Sequence, residues 1–125
     1  MSDNVVSKTQ RVGIRADWQR AAERMAEKKA GHSLEVSKLI GFCLEVRREV
    51  VDTIGGLDPR FGLGNFDDDD YGLRAQLAGF SLRVAQDCFV RHVGHQTFLS
   101  EGINVNQLIE TNLKLFLFKW RSLGV

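Results

Sequence analysis

Four consecutive aspartates, Asp67 to Asp70, form the densest group of reactive side chains in this 125-residue sequence. The residues after them, 71–78, have the composition of a short helix that ends at Gly79, so we expect the carboxylates at a helix N-terminus. The positive end of a helix stabilises negative charge there. Such a group can hold a cation, act as a general base or only cap a solvated helix end, and the residue types alone leave all three open.

The spacing around the aspartates excludes several common sites. A calcium loop starting at Asp67 would place Tyr71 at a ligand position and Ala78 where a bidentate glutamate is required. The Gly62-x-Gly64 pair lacks the third glycine of a dinucleotide fingerprint, and the sequence contains neither a phosphate-loop motif nor a Gly-x-Ser-x-Gly elbow. Those two modes of nucleotide binding, and acyl transfer, are therefore not predicted.

Two histidines, His92 and His95, are three residues apart in a loop that follows a strand-like stretch. Such a pair is more often structural than metal-binding, but a strand end beside a carboxylate-capped helix is a place where metal ligands converge. Neutral imidazole together with carboxylate suits a divalent ion such as manganese. The third histidine, His32, lies in a predicted turn and carries no signal.

The composition is that of one soluble globular domain, with 43% apolar and 26% charged residues. A net charge of +1 indicates no nucleic-acid partner, and no apolar stretch is long enough for a transmembrane segment. Because the polar start also lacks a signal-peptide core, we expect a cytoplasmic protein. Cys43 and Cys88 are too few for a disulfide framework and lie in strand-like apolar stretches, so we expect buried free thiols.

Hydrophobic spacing and glycine positions predict the elements that must position these residues. Besides the helix at the aspartates, they are a helix over 18–29 capped by Asp17, a buried strand over 39–46, a helix over 47–54 ended by Gly55, one or two strands within 81–90 and a final helix over 104–120. The final helix repeats apolar residues along one face: Leu108/Ile109, Leu113, Phe116/Leu117 and Trp120.

Several short motifs follow one another in a defined order: Gly41-Phe42-Cys43, Arg47-Arg48-Glu49-Val50, Gly55-Gly56-Leu57-Asp58-Pro59-Arg60-Phe61, Asn65-Phe66-Asp67-Asp68-Asp69-Asp70-Tyr71-x-Leu73-Arg74, Ala78-Gly79-Phe80, Asp87, His92, Asn112 and Lys119-Trp120. In this order they resemble the C-terminal half of family 2 glycosyltransferases of the GT-A fold. The resemblance covers residues 36–121. It implies an α/β protein with a partial GT-A fold, in which a small mixed sheet is flanked by about four helices.

In that family an acidic pair opens a helix beneath the acceptor site, and its second member takes the proton from the acceptor hydroxyl. The resemblance implies that Asp68 is the catalytic general base of an inverting transfer from a nucleotide-sugar donor to a glycan or other hydroxyl acceptor. The turn 55–58 and the loop 62–66 would border the acceptor pocket. His92 would complete the coordination of a divalent metal, Mn²⁺ or Mg²⁺. An acceptor-binding or supporting role is implied for Asn65, Phe66, Asp67, Asp70 and Arg74.

Residues 1–125 contain no counterpart of the family's N-terminal nucleotide-binding half, so we expect them to form a single, acceptor-side domain. Asp67-x-Asp69 fits the donor-side Asp-x-Asp motif only formally, because its position marks the acceptor-side motif. An unpaired sheet edge and poorly covered helix faces then favour a homo-oligomer or association with the missing half. The alternative function is a non-catalytic interaction or regulatory module derived from the same fold.

Overall fold

The computed structural model describes residues 17–92, 98 and 100–124, together with the backbone of the strand Asp3–Ser7. A three-stranded mixed sheet has the order β1-β3-β2. The central strand β3 (Ser81–Ala85) pairs in parallel with β1 (Asp3–Ser7) and antiparallel with β2 (Ser33–Val36). Leu34 lies opposite Val84 in the antiparallel pair.

Four α-helices lie in the described residues: α1 (Trp18–Lys29), α2 (Arg48–Ile54), α3 (Asp67–Leu77) and α4 (Val105–Arg121). A short 3-10 helix covers Pro59–Phe61. The mixed α/β architecture and the number of helices agree with the expected partial GT-A fold. None of the helices in the described part of the chain is long and apolar enough to cross a membrane.

Helix α1 begins at the cap that its sequence predicts. The side chain of Asp17 accepts a hydrogen bond from the backbone N–H of Arg20 at 3.1 Å, which caps the first turn. The indole ring of Trp18 lies 6.1 Å from the ring of Phe89, and this contact joins the helix to the segment after β3. The side chains of Trp18, Ala21, Ala22 and Met25 are half-buried, so α1 covers the periphery of the domain.

The core forms where α3 packs against β3. Its buried members are Leu39, Val50, Tyr71, Ala75, Leu82 and Val84. Gly72 allows the close approach, because a Cβ at that position would lie 3.2 Å from Cδ1 of Leu82 and 3.4 Å from Cγ of Leu39. Leu82 and Val84 alternate with more exposed residues along β3, as expected for a strand with one face on the core.

The expected strand over residues 39–46 is wrong. This segment forms turns and irregular backbone with one isolated bridge at Leu44. The backbone N–H of Gly41 is hydrogen-bonded to a carboxylate of α3 rather than to a neighbouring strand. Periodicity alone cannot separate a buried strand from an apolar loop that crosses the core, and here Leu39 is buried as part of such a loop.

The predicted burial of the two cysteines is also corrected. Cys43 and Cys88 are both exposed free cysteines, because each lies in an irregular segment outside the sheet. On α4, Trp120 is buried, whereas Leu113 and Leu117 are each 38% exposed, which agrees with the poorly covered helix faces expected from the sequence. The polar Asn112 faces inward. The inward position of Asn112 has a specific cause in the site described next.

Candidate active site

The four aspartates lie in the first turn of α3, as the sequence predicts. The two residues before them, Asn65 and Phe66, both have φ of +67°, in the left-handed region that non-glycine residues rarely adopt. Two consecutive residues in this conformation are costly unless the surrounding structure enforces it. The chain therefore enters α3 through a sharply turned loop that needs external support.

Asn112 on α4 gives that support. Its side-chain amide donates to the carbonyl oxygens of Phe61 at 2.8 Å, Gly64 at 2.6 Å and Asn65 at 3.1 Å. These three carbonyls belong to the loop that leads into α3, and Asn112 itself is only 3% exposed. A buried polar side chain is stable when it is hydrogen-bonded in this way, so one residue of α4 fixes the shape of the loop.

The carboxylate of Asp68 is held by two backbone amides. Oδ2 accepts a hydrogen bond from the N–H of Gly41 at 2.7 Å, and Oδ1 accepts one from the N–H of Asp69 at 2.9 Å. Gly41 has to be a glycine for this approach, since a Cβ there would lie 3.0 Å from Cβ and 3.2 Å from Oδ2 of Asp68. Each oxygen keeps an unused lone pair, so Asp68 is fixed in position and still able to accept a proton.

The neighbouring carboxylates Asp67 and Asp69 differ in their partners. Asp69 forms an ion pair with Lys38, whose Nζ lies 2.9 Å from Oδ1. Asp67 has no hydrogen-bond or ion-pair partner within the described residues, although it lines the same cleft. Among the described residues, one charge on this side of the helix start is therefore paired with a cation, and the other faces the cleft without a partner.

Asp70 faces the opposite side of the helix and is completely buried. Its carboxylate accepts from Nε of Arg74 at 2.9 Å and from Nε1 of Trp120 at 3.0 Å, and Nζ of Lys119 lies 2.6 Å away. Arg74 also donates to the carbonyl oxygens of Ile54 and Gly56, each at 2.8 Å. Asp70 and Arg74 thus connect α3 to α4 and to the end of α2, and neither lines the cleft.

A second carboxylate continues this network. Asp58 accepts from Nη2 of Arg60 at 2.6 Å and from Nζ of Lys119 at 2.8 Å, and these bonds hold the pKa of the Asp58 carboxyl well below its usual range. Burial raises the pKa of Tyr71, whose hydroxyl donates to the carbonyl oxygen of Gly55 at 3.0 Å. The turn 55–58 is therefore held against α3 and α4. It does not line the cleft beside the start of α3, although the resemblance implies that it borders the acceptor pocket.

The cleft itself opens beside the start of α3 and has a volume of about 720 Å³. Fifteen of the described residues line it, of which seven are aliphatic or aromatic and three are the carboxylates Asp67, Asp68 and Asp69. The imidazole of His92 also lines it and stacks on the ring of Phe42 with centroids 4.7 Å apart and planes at 16°. The cleft combines a carboxylate end with an apolar wall, and His95 lies outside the described residues.

The donor set for a divalent metal is incomplete in the described part of the chain. No group of three or more His, Cys, Asp or Glu side chains there has a geometry that could hold a metal ion. His92 and the carboxylates of α3 line one cleft but do not converge on a common point. These residues do not by themselves fit a resident metal, so no chemical step is derived from one.

Comparison with known proteins identifies the family. A family model described as "Glycosyltransferase like family 2" matches residues 6–107, most of the chain, and the chain belongs to that family. The match begins at residue 6, before the stretch 36–121 on which the resemblance rested, and therefore includes α1 and β2. Neither the curated proteins nor the solved structures that were searched gave a match.

Proposed function

We propose that this chain carries the acceptor site and the general base of an inverting glycosyl transfer, with Asp68 as the base. The observation that carries the proposal is the placement of Asp68, whose carboxylate is fixed by the amides of Gly41 and Asp69 while it lines the cleft. A general base has to be held within hydrogen-bond reach of the proton that it removes. Two backbone donors on one carboxylate provide that fixed position.

The proposed step balances as a single displacement at the anomeric carbon of a nucleotide sugar. Asp68 takes the proton of the acceptor hydroxyl while the hydroxyl oxygen forms a bond to the anomeric carbon. The bond from that carbon to the diphosphate oxygen breaks, and the nucleoside diphosphate leaves with the electron pair. Attack opposite the leaving group inverts the configuration of the sugar.

The other site residues divide into two proposed roles. Asn65, Phe66 and Asp67 line the cleft and are positioned to contact the acceptor. Asp70 and Arg74 act as positioning residues, because they anchor α3 from the buried side without reaching the cleft. This division follows from which of these residues line the cleft.

We propose that the nucleotide-binding groups come from outside these residues, either from a further part of a longer chain or from a second copy. His92 would then supply one ligand to a divalent ion carried with the donor diphosphate, and the remaining ligands would be supplied with the donor site. The edge strands β1 and β2 offer backbone groups for such an association. The test is the metal response of the assembled protein, since His92→Ala should raise the manganese concentration needed for half-maximal transfer.

The base assignment is tested with Asp68→Asn, which keeps the shape of the side chain and removes its basicity. Release of nucleoside diphosphate is measured with UDP-, GDP- and TDP-sugars on the complete assembly. We expect transfer to fall about 10²- to 10⁴-fold. The matched control is Asp52→Asn, an equal change of charge at an exposed position on α2 outside the cleft.

A second variant tests how the base is held. Gly41→Ala places a methyl group against Asp68, so it should lower transfer without removing the carboxylate. Circular dichroism checks that each variant is folded. If Asp68→Asn transfers sugar at the rate of the Asp52→Asn control, the base assignment is wrong, and a non-catalytic interaction or regulatory module becomes the better explanation.

A further inference from the structure

The loop that leads into α3 has a costly backbone conformation. Of its residues 62–66, Gly62, Gly64, Asn65 and Phe66 all have positive φ. Glycine adopts this region freely and asparagine tolerates it, but a side chain as large as phenylalanine rarely occurs there. The side-chain amide nitrogen of Asn65 is also buried without a hydrogen-bond partner among the described residues. Costs of this kind persist at functional sites where the surrounding structure enforces them.

Three residues on the inward face of α4 contact this loop and the start of α3 in succession. The amide of Asn112 holds the loop carbonyls. The ring of Phe116, four residues later, lies 5.7 Å from the ring of Phe66. The indole of Trp120, four residues further, donates to Asp70. Because residues four apart lie one above the other on a helix, a single stripe of α4 supports the whole entry into α3.

Among these contacts, the one made by Asn112 acts on the backbone itself. The carbonyl oxygens of Phe61, Gly64 and Asn65 all lie within 3.1 Å of its amide nitrogen. Carbonyl oxygens carry partial negative charge, so three of them converge on one point only if a donor lies between them. They also converge only if the chain turns back sharply between residues 61 and 65, which is what the positive φ values produce.

The path of this loop determines where Asp68 lies. Asp68 is the second residue of α3, and the loop ends at the residue before that helix. Residues 64–66 line the cleft together with Asp68, whereas Asn112 does not line it. The 2.7 Å hydrogen bond from the N–H of Gly41 to Asp68 joins the helix start to a separate segment of the chain. A different loop path would therefore move Asp68 away from Gly41.

We propose that Asn112 is a positioning residue of the cleft, which holds the loop in its left-handed conformation and thereby fixes the carboxylate of Asp68 against Gly41. Its consequence for sugar transfer rests on the proposed function, because Asp68 is the base proposed there. Asn112 touches neither the acceptor nor the reacting atoms. It acts through the backbone of the loop.

The first test is a proton–nitrogen correlation NMR spectrum of the chain, in which the amide proton of Gly41 reports its hydrogen bond to Asp68. The variant Asp68→Ala defines the position of this signal when the bond is absent. Asn112→Ala should move the signal at least half of the way to that position. Adding Asn65→Gly should reverse at least half of this change, because glycine adopts the left-handed region freely and the buried amide is removed.

The matched control is Val84→Ala, at a buried core residue of β3 that does not line the cleft. It removes core packing without touching the loop, so it should leave the Gly41 signal in place. Circular dichroism checks that each variant is folded at the temperature of measurement. Asn112→Ser, which keeps a single donor, replaces Asn112→Ala if the latter does not fold.

The second test is transfer by the complete assembly, measured as release of nucleoside diphosphate from UDP-, GDP- and TDP-sugars. At a temperature where both variants are fully folded, Asn112→Ala should lower kcat about 10- to 100-fold, since small displacements of a catalytic group have effects of this size. The KM for the nucleotide sugar should stay unchanged, because the loop borders the acceptor cleft. Val84→Ala should keep both constants.

The proposal is overturned if Asn112→Ala leaves the Gly41 signal in place, if Val84→Ala moves it equally, or if Asn65→Gly restores none of the change. Normal transfer by Asn112→Ala despite a displaced signal would also overturn it. The two proposals fail separately, because the spectrum does not depend on catalysis. Unchanged transfer by Asp68→Asn would overturn the base assignment and leave the spectroscopic test of Asn112 valid.

Discussion

Replacing Asp70 by asparagine should lower the free energy of unfolding of the domain more than replacing any other single carboxylate of α3. Asp70 is completely buried, and its carboxylate faces Arg74, Lys119 and the indole N–H of Trp120. Removing one partner of a buried ion pair costs about 3–5 kcal/mol, because the remaining charge is left uncompensated. Arg74 keeps two backbone carbonyls and Lys119 keeps Asp58, so we expect the lower end, about 3 kcal/mol.

The assay is urea unfolding followed by tryptophan fluorescence. A domain of this size has a total stability of about 5–15 kcal/mol, so the loss is a large fraction of it. With a urea slope of about 1–3 kcal/mol per molar, a loss of 3 kcal/mol lowers the midpoint by about 1–3 M. An unchanged slope would show that the unfolded state is not altered.

The control for this experiment is Asp69→Asn, in the same turn of the helix. Asp69 pairs with Lys38, and although the Asp69 side chain is only 16% exposed, that of Lys38 is 65% exposed, so solvent screens the pair and we expect it to contribute about 1 kcal/mol or less. A double-mutant cycle between Asp70→Asn and Lys119→Met should also give a coupling energy of about 1–3 kcal/mol. If Asp70→Asn costs no more than Asp69→Asn, the buried network does not hold α3 to α4 and the argument is refuted.

Three further predictions concern the frame of the site. The lowered pKa of Asp58 stabilises the fold fully above about pH 4, so the stability lost in Asp58→Asn should shrink as urea unfolding is repeated below that pH. Gly72→Ala should lower the free energy of unfolding by about 1–3 kcal/mol, measured by thermal unfolding, because its methyl group would contact Leu82 too closely. An unchanged melting temperature would show that the neighbouring side chains move aside without loss of stability. Asn112→Ala leaves three loop carbonyls without their donor and should cost about 1–3 kcal/mol in urea, whereas Gln107→Ala on the exposed side of α4 should cost much less.

The helices could be predicted because their signals are local. Asp17 caps α1, Gly55 with φ of +76° ends α2, and the aspartates open α3 within the residues where they stand in the sequence. The family could be recognised for the same reason, since its motifs are short runs in a defined order. The family match over residues 6–107 confirms the family assignment.

The failures share a different cause, which is that burial depends on distant partners. The apolar run over 39–46 looks like a strand, but the Gly41 amide is used by Asp68, 27 residues later. Cys43 follows that irregular path to the surface. Asn112 turns inward because it binds carbonyls about 50 residues earlier, which no local pattern in the sequence indicates.

By itself, the sequence determined that four carboxylates stand at the start of a helix in a glycosyltransferase-like family 2 domain. Only the tertiary structure decided where each carboxylate points. Successive residues on a helix are about 100° apart, so Asp68 and Asp70 point in nearly opposite directions although only one residue separates them. Asp68 lines the cleft while Asp70 is buried against Trp120, because α4 covers one side of α3 and leaves the other open.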